Sequence, residues 1–279
     1  MQITEIFTDS LKYPTKNWKN FFILGILTLI VTALGLFPSI IGSDRNGLIS
    51  IVAIVCSILA LIVGFIINGY ILSNVKSSIN LKDNIPDFNI NNNLIDGLKL
   101  LIINIVYGLI FLIIIMIITF FSGFLESIID IISIAINNPG ANTTQFLTLI
   151  PENVANTFQN GFLITGILGL IIGIIFALFY TISYVRLADS ENIGIALNIK
   201  EIYGDIQKIG LGNYIIWIIL YILISIVISL IMGIIFIILG FIPYISVALV
   251  IIISALLFEP YVSLFSARAI GLLYSGKKD

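Results

Sequence analysis

The sequence predicts an all-α fold, an integral membrane bundle of six transmembrane helices, on three observations. The chain is 59% hydrophobic and only 10% charged, with a mean hydropathy of +1.16, whereas soluble domains carry about 25% charged residues. Six apolar runs are long enough to cross the roughly 30 Å of bilayer hydrocarbon, which takes about 20 helical residues: 21–41, 48–72, 99–121, 162–187, 214–239 and 244–265. A polar motif recurs beside these runs. Tyr70, Ser73 and Lys76 match Tyr180, Ser183 and Arg186, and Asp96 with Lys99 matches Asp205 with Lys208. Asp9 with Lys12 supplies one half at the start of the chain, and Tyr261 with Arg268 the other near its finish. Three tandem helical-hairpin repeats in a single membrane domain leave this trace, at about 1–80, 81–190 and 191–279.

The first segment, ITEIFTDSLKYP, sets Ile3, Ile6, Phe7 and Leu11 on one helical stripe, with Glu5, Asp9 and Lys12 off it. NIKEIYGDIQK repeats that pattern at an offset of 196, pairing Ile6 with Ile202 and Asp9 with Asp205. Each reads as an amphipathic interfacial helix leading into a span, and one is expected ahead of every hairpin. The first run is too long for a signal-peptide core and is expected to be a retained span.

Of the 13 basic residues, only Arg45 falls on the outer side of this topology. The others, from Lys12 to Lys278, flank the opposite ends of the spans. By the positive-inside rule the N- and C-termini are expected to be cytoplasmic, in a multi-pass cell-membrane protein. The outer segments are GSDRNG, a long loop over 122–160, and a short turn near Pro243. In the long loop, Glu126 and Asp130 share a face of a helical stretch that either continues the third span or lies on the surface. Asn142 opens an Asn-x-Thr glycosylation acceptor with Thr143 and Thr144, beside the plainer reading of an unmodified loop.

Several chemistries are excluded. No histidine is present, which removes the commonest general base and metal ligand. A net charge of −2 without a basic stripe argues against nucleic acid. Cys56 is the single cysteine and forms no internal disulfide. GLLYSGK at 271–277 imitates a phosphate loop, but Lys278 stands where Ser or Thr is required.

Inside the spans, Glu259, Asn68 and Asn104 form the candidate polar site, because such groups are costly in lipid. Two readings compete. One is an aromatic belt of Tyr70, Tyr107, Tyr180 and Tyr261, with Glu259 paired to Arg186 or Arg268; the other is a polar vestibule open to the cytoplasm. Small-residue stripes, Cys56-Ala60-Gly64-Asn68, Gly169-Gly173-Ala177 and Ser225-Ser229-Gly233, are expected to seat close helix contacts.

DSLKYP followed by NW, the connection IPDF leading to DGLK and VYG, and the final YVSLFSARAIGLLY resemble domain of unknown function 4013. That resemblance implies an archaeal or bacterial multi-pass membrane protein without assigned activity, and supplies no catalytic residues. The long outer loop departs from the shorter family pattern. The expected function is a non-enzymatic membrane module, without cofactor, that contacts membrane lipids or other membrane proteins through its amphipathic helices. The alternative is a small permease using the bundle centre.

Overall fold

The computed structural model describes residues 2–41, 47–242 and 246–278. Arg45 and the turn at Pro243 lie outside the described residues. Helix α1 (Ile3–Lys12) ends at a 3₁₀ turn, Tyr13–Lys16, and is followed by α2 (Trp18–Ile41), α3 (Gly47–Ile79) and α4 (Ile90–Phe121). Then come α5 (Phe124–Asn137), α6 (Thr143–Leu149), α7 (Glu152–Ser190), α8 (Ile193–Ala196), α9 (Ile199–Ile209) and α10 (Leu211–Gly240). The last span is built from α11 (Ser246–Ile253), one wide π turn at Ser254–Phe258, and α12 (Glu259–Ser275). Among the described residues no strand occurs, and six helices are long and apolar enough to cross a membrane.

The chain divides into two compact units, Met1–Ile103 with Thr181–Asp279, and Asn104–Tyr180. In the first, the core is not purely aliphatic. Tyr13, Phe21, Leu24, Tyr70, Ile85 and Leu264 cluster there, all buried. The Tyr70 hydroxyl donates to the Pro86 carbonyl at 3.0 Å and its ring lies 4.4 Å from Phe88, so the IPDF connection is clamped onto the core. Asn20 of α2 adds a bond to the same carbonyl at 3.0 Å. Tyr70 is thus a core residue, with no exposed surface, and not part of an aromatic belt.

Helix α1 lays Ile6 and Phe7 into this unit, and α9 lays in Ile202 and Ile206, all buried. A stack runs from Phe7 through Trp217 and Tyr221 to Phe265, with centroids 6.0, 5.2 and 6.0 Å apart. Ile6, Phe7, Ile202 and Ile206 of the two apolar stripes therefore face protein, while Leu11 at the end of the first stripe and Ile199 at the start of the second are exposed. Among the described residues, two such helices stand free directly ahead of a span. Pro14 lies in the turn that ends α1, and Gly210, at φ +87°, ends α9. The segment carrying Asp96 and Lys99 meets no comparable break, so it forms the opening turns of α4 itself.

In this unit α3 and α4 touch backbone to backbone. A Cβ placed on Gly69 would sit 1.7 Å from the Asn93 carbonyl oxygen, and one on Gly97 would sit 1.9 Å from that of Phe65. The expected stripes are looser. Gly64 and Gly233 face open space, Gly173 would meet the Phe111 ring at 3.9 Å, and Gly169 alone is tight, with Ile115 at 3.2 Å.

In the second unit, the region expected as a loop over 122–160 is largely helical. Gly123, at φ +73°, separates α5 from the third span, so the stretch carrying Glu126 and Asp130 is an independent helix, with both acids exposed. The fourth span, α7, begins at Glu152, well before the expected Phe162. Asn142 caps α6: its Oδ1 accepts from the Gln145 N–H at 2.9 Å, and Gln145 Oε1 accepts from the Asn142 N–H at 3.2 Å.

Candidate functional site

Of the three intramembrane polar residues, Asn68 and Glu259 belong to the first unit and Asn104 to the second. Asn68 donates to the Gly64 carbonyl of its own helix at 2.9 Å. Asn104 accepts from the Tyr180 hydroxyl at 2.8 Å. Glu259 bonds Ser254, one turn back, and neither expected arginine meets it. Arg268 and Arg186 are bound instead by acids that sequence reasoning assigned to helix surfaces and connections. Among the described residues, no hydrogen bond links Glu259 to Asn68 within the first unit.

What the first unit does assemble is a set of ion clusters at one end of its spans. Arg268, with only 4% of its side chain exposed, donates from Nε to Asp9 Oδ2 at 2.5 Å, from one terminal nitrogen to the Lys82 carbonyl at 2.6 Å, and from the other to Asp83 at 3.0 Å. Lys16 joins Asp9 and Asp83 at 3.0 and 3.2 Å. The guanidinium lies 4.9 Å from the Tyr13 ring centre, and burial pushes the Tyr13 hydroxyl up to about 12.

The second cluster repeats this plan. Arg186 reaches Asp205 at 2.5 Å and also pairs with Glu201. Asp205 Oδ2 further accepts from the Tyr274 hydroxyl at 2.7 Å and from Lys277 at 2.9 Å. Arg186 Nε and Ser183 Oγ donate to the carbonyls of Ile195 and Ala196 at 3.2 and 2.8 Å, holding the connection into α9.

Burial alone would raise the Asp9 carboxyl, but hydrogen bonds from Lys16 and Arg268 outweigh it and hold the group below its usual 3.8. Asp205 behaves likewise, its burial overcome by Lys277, Tyr274 and Arg186. A carboxyl that binds its proton more weakly folded than unfolded contributes stability above the unfolded value, and that contribution vanishes as pH falls through the folded one. Thermal unfolding in detergent is therefore expected to be insensitive to pH between about 7 and 5 and to weaken below about 4. A midpoint unchanged down to about pH 3 would contradict the assignment.

Beside the remaining copy of the sequence motif, at Lys76 and Asp96, the pairing differs. Lys76 pairs with Glu191, whose carboxyl its hydrogen bond holds below the usual range, while Asp96 pairs with Lys99 at 3.0 Å. Between Lys76 and Asp96 a cavity of about 220 Å³ opens. Nothing in the sequence pattern signals it, because its lining comes from α3, the 85–89 connection, the start of α4 and the end of α7.

Six long apolar helices, a polar ion-paired end and the exposed aliphatic surfaces of α3, α4, α7 and α10 define a multi-pass α-helical membrane protein. More particularly, the chain belongs to the family described as Protein of unknown function (DUF4013), whose model matches residues 52–237, about two thirds of the sequence. IPDF, DGLK and VYG fall inside the match; DSLKYP and the final exit helix fall outside it. No curated protein and no solved structure matches the chain.

Proposed function

We propose that this protein is a non-enzymatic module of the cell membrane that holds lipids and membrane partners around a rigid, ion-paired cytoplasmic end, both termini lying on that side. The observation that carries this reading is the contrast within the first unit. Aliphatic side chains along α10, such as Ile219, Ile226 and Ile234, remain exposed, a surface suited to lipid, while the acids and bases at the opposite extreme of hydropathy bind one another. Arg186, Asp205, Arg268 and Asp9 are thereby occupied in structure rather than available for proton transfer. Lipid contact falls to the spans and to the outward faces of α1 and α9, where Ile199 and Tyr203 are exposed, since the inner stripes pack on protein.

We infer in addition that the chain is three copies of one unit. Support comes from matched local details. Glu5 accepts from the Gln2 N–H, Asn89 from the Asn92 N–H and Asn198 from the Glu201 N–H, so a capping arrangement precedes each of Asp9, Asp96 and Asp205 by the same seven residues. Leu81 and Glu191, each five residues beyond Lys76 or Arg186, are the non-glycine residues with positive φ among the described residues, at 54° and 55°.

Cysteines at Lys16, Lys82 and Lys200 in a Cys56→Ala background are expected to be shielded from an impermeant thiol reagent outside intact cells, and one at Asn142 to react. External labelling at Lys82 would overturn the topology. Vesicles reconstituted with wild type or Glu259→Gln are expected to show equal, background ion flux and to retain lipid on purification; a wild-type flux lost in the variant would favour a permease.

A further inference from the structure

We propose that the cavity between Lys76 and Asp96 is a binding site for a small organic ammonium compound that also carries an oxygen acceptor, an amino alcohol in its simplest form. The inference goes beyond the proposed role; it stands on the cavity, and its comparison of Asn93 with Ile6 and Ile202 rests on the inferred repeat.

The first observation is Asn93. It lines the cavity and is 3% exposed, yet its Nδ2 has no hydrogen-bond partner. A buried donor left unpaired has lost its hydration without compensation, so an unliganded amide is a poor structural choice here. Its counterparts make that plain. Ile6 stands three residues before Asp9, and Ile202 three before Asp205, both buried in the same sense; Asn93 stands three before Asp96. Where two helices place isoleucine against the core, the third places an amide with a free donor beside a cavity. Its backbone is fixed by the Gly69 contact already described, so the amide has little room to find another partner.

The second observation is charge. Among the described residues, Asp87, Asp96 and Glu191 line the cavity with Lys76 as the one lining cation. Lys76 is matched by Glu191 and Asp96 by Lys99, while Asp87 accepts from the Asn20 amide at 3.5 Å and, among the described residues, forms no ion pair. The residual field favours a positive group. The first turn of α4, capped by Asn89, presents the positive end of a helix dipole on the side of Asn93, which favours an electronegative atom there. A ligand with an ammonium toward Asp87 and Asp96 and a hydroxyl, carbonyl or phosphate oxygen toward Asn93 and Lys76 meets both demands. Free amino alcohols and the headgroup of an ethanolamine lipid share this chemistry.

The full-length protein is titrated with ethanolamine in detergent, and its retention of lipid is measured by native mass spectrometry from nanodiscs containing phosphatidylethanolamine or only phosphatidylcholine. Wild type is expected to show either a saturable rise in unfolding temperature with ethanolamine, indicating the free compound, or selective retention of phosphatidylethanolamine, indicating the headgroup. Asn93→Ile reproduces the residue used at the two equivalent positions, so it is expected to fold with undiminished stability while its affinity falls about tenfold or more. Asp87→Asn is expected to weaken binding without altering the unliganded midpoint. No saturable effect and no lipid selectivity in wild type, or equal binding by Asn93→Ile, would overturn the proposal.

Discussion

Gly69→Ala is expected to deprive the protein of a stable fold, although the change adds one methyl group to a helix. The atom it would strike is a backbone carbonyl, Asn93 O, at 1.7 Å, and no rotamer change can move it aside. Helices α3 and α4 would have to separate, undoing the reciprocal contact of Gly97 with Phe65. Overpacking of this kind costs about 1–3 kcal/mol where side chains can yield, and a backbone clash belongs at or beyond the upper end, against a typical total of about 5–15 kcal/mol. Gly64→Ala, five residues earlier and facing open space, is expected to be neutral or slightly stabilising, because alanine is the better helix former by about 1 kcal/mol. Size-exclusion profiles and thermal midpoints of the two variants in one detergent supply the check. Equal behaviour would show that the α3 and α4 contact is not tight.

Asp205→Ala is the second substitution with a large expected effect. Its carboxylate accepts from Arg186, Tyr274 and Lys277, with only 6% of its side chain exposed. Removing it leaves a buried guanidinium and a largely buried ammonium without the acid that both contact, Glu201 still pairing with Arg186. Breaking a buried pair in this way costs about 3–5 kcal/mol, chiefly because the surviving charges lose their compensation. Glu201→Ala removes an acid that is half exposed, and is expected to cost under about 1 kcal/mol. Comparable midpoint losses for the two would deny Asp205 its central place.

The spans were legible because the requirement for about 20 apolar residues leaves few alternative partitions of so apolar a chain. The importance of Asp9, Asp205, Arg186 and Arg268 was legible too, since the offset of 196 drew attention to the aspartates and the match to Lys76 drew attention to an arginine. Their mutual pairing was not. Depth along a span suggested Glu259 as the arginines' partner, whereas the folded amphipathic helices bring Asp9 and Asp205 closer. Tyr70 looked like a belt residue because sequence gives its depth but not its direction. Gly69 and Gly97 escaped the search for small residues every fourth position, since each meets the facing helix once rather than along a stripe. Asn93 escaped because its meaning depends on a cavity formed by four separate segments.

The wide turn at Ser254–Phe258 has its own bearing on how the last span is read. A π turn holds one residue more than the α-helical turn it replaces, and one residue corresponds to about 100° around a helix axis. The phase of the apolar pattern is therefore broken near Pro260, so that a helical wheel drawn continuously across Val247–Ser275 assigns the wrong azimuth to one half. Glu259, the first residue after the break, takes its direction from the wheel of α12 alone. In an alignment of relatives, such a turn would register as a single-residue gap inside a membrane span, a signature that could be mistaken for an error but instead marks where the two halves are out of step.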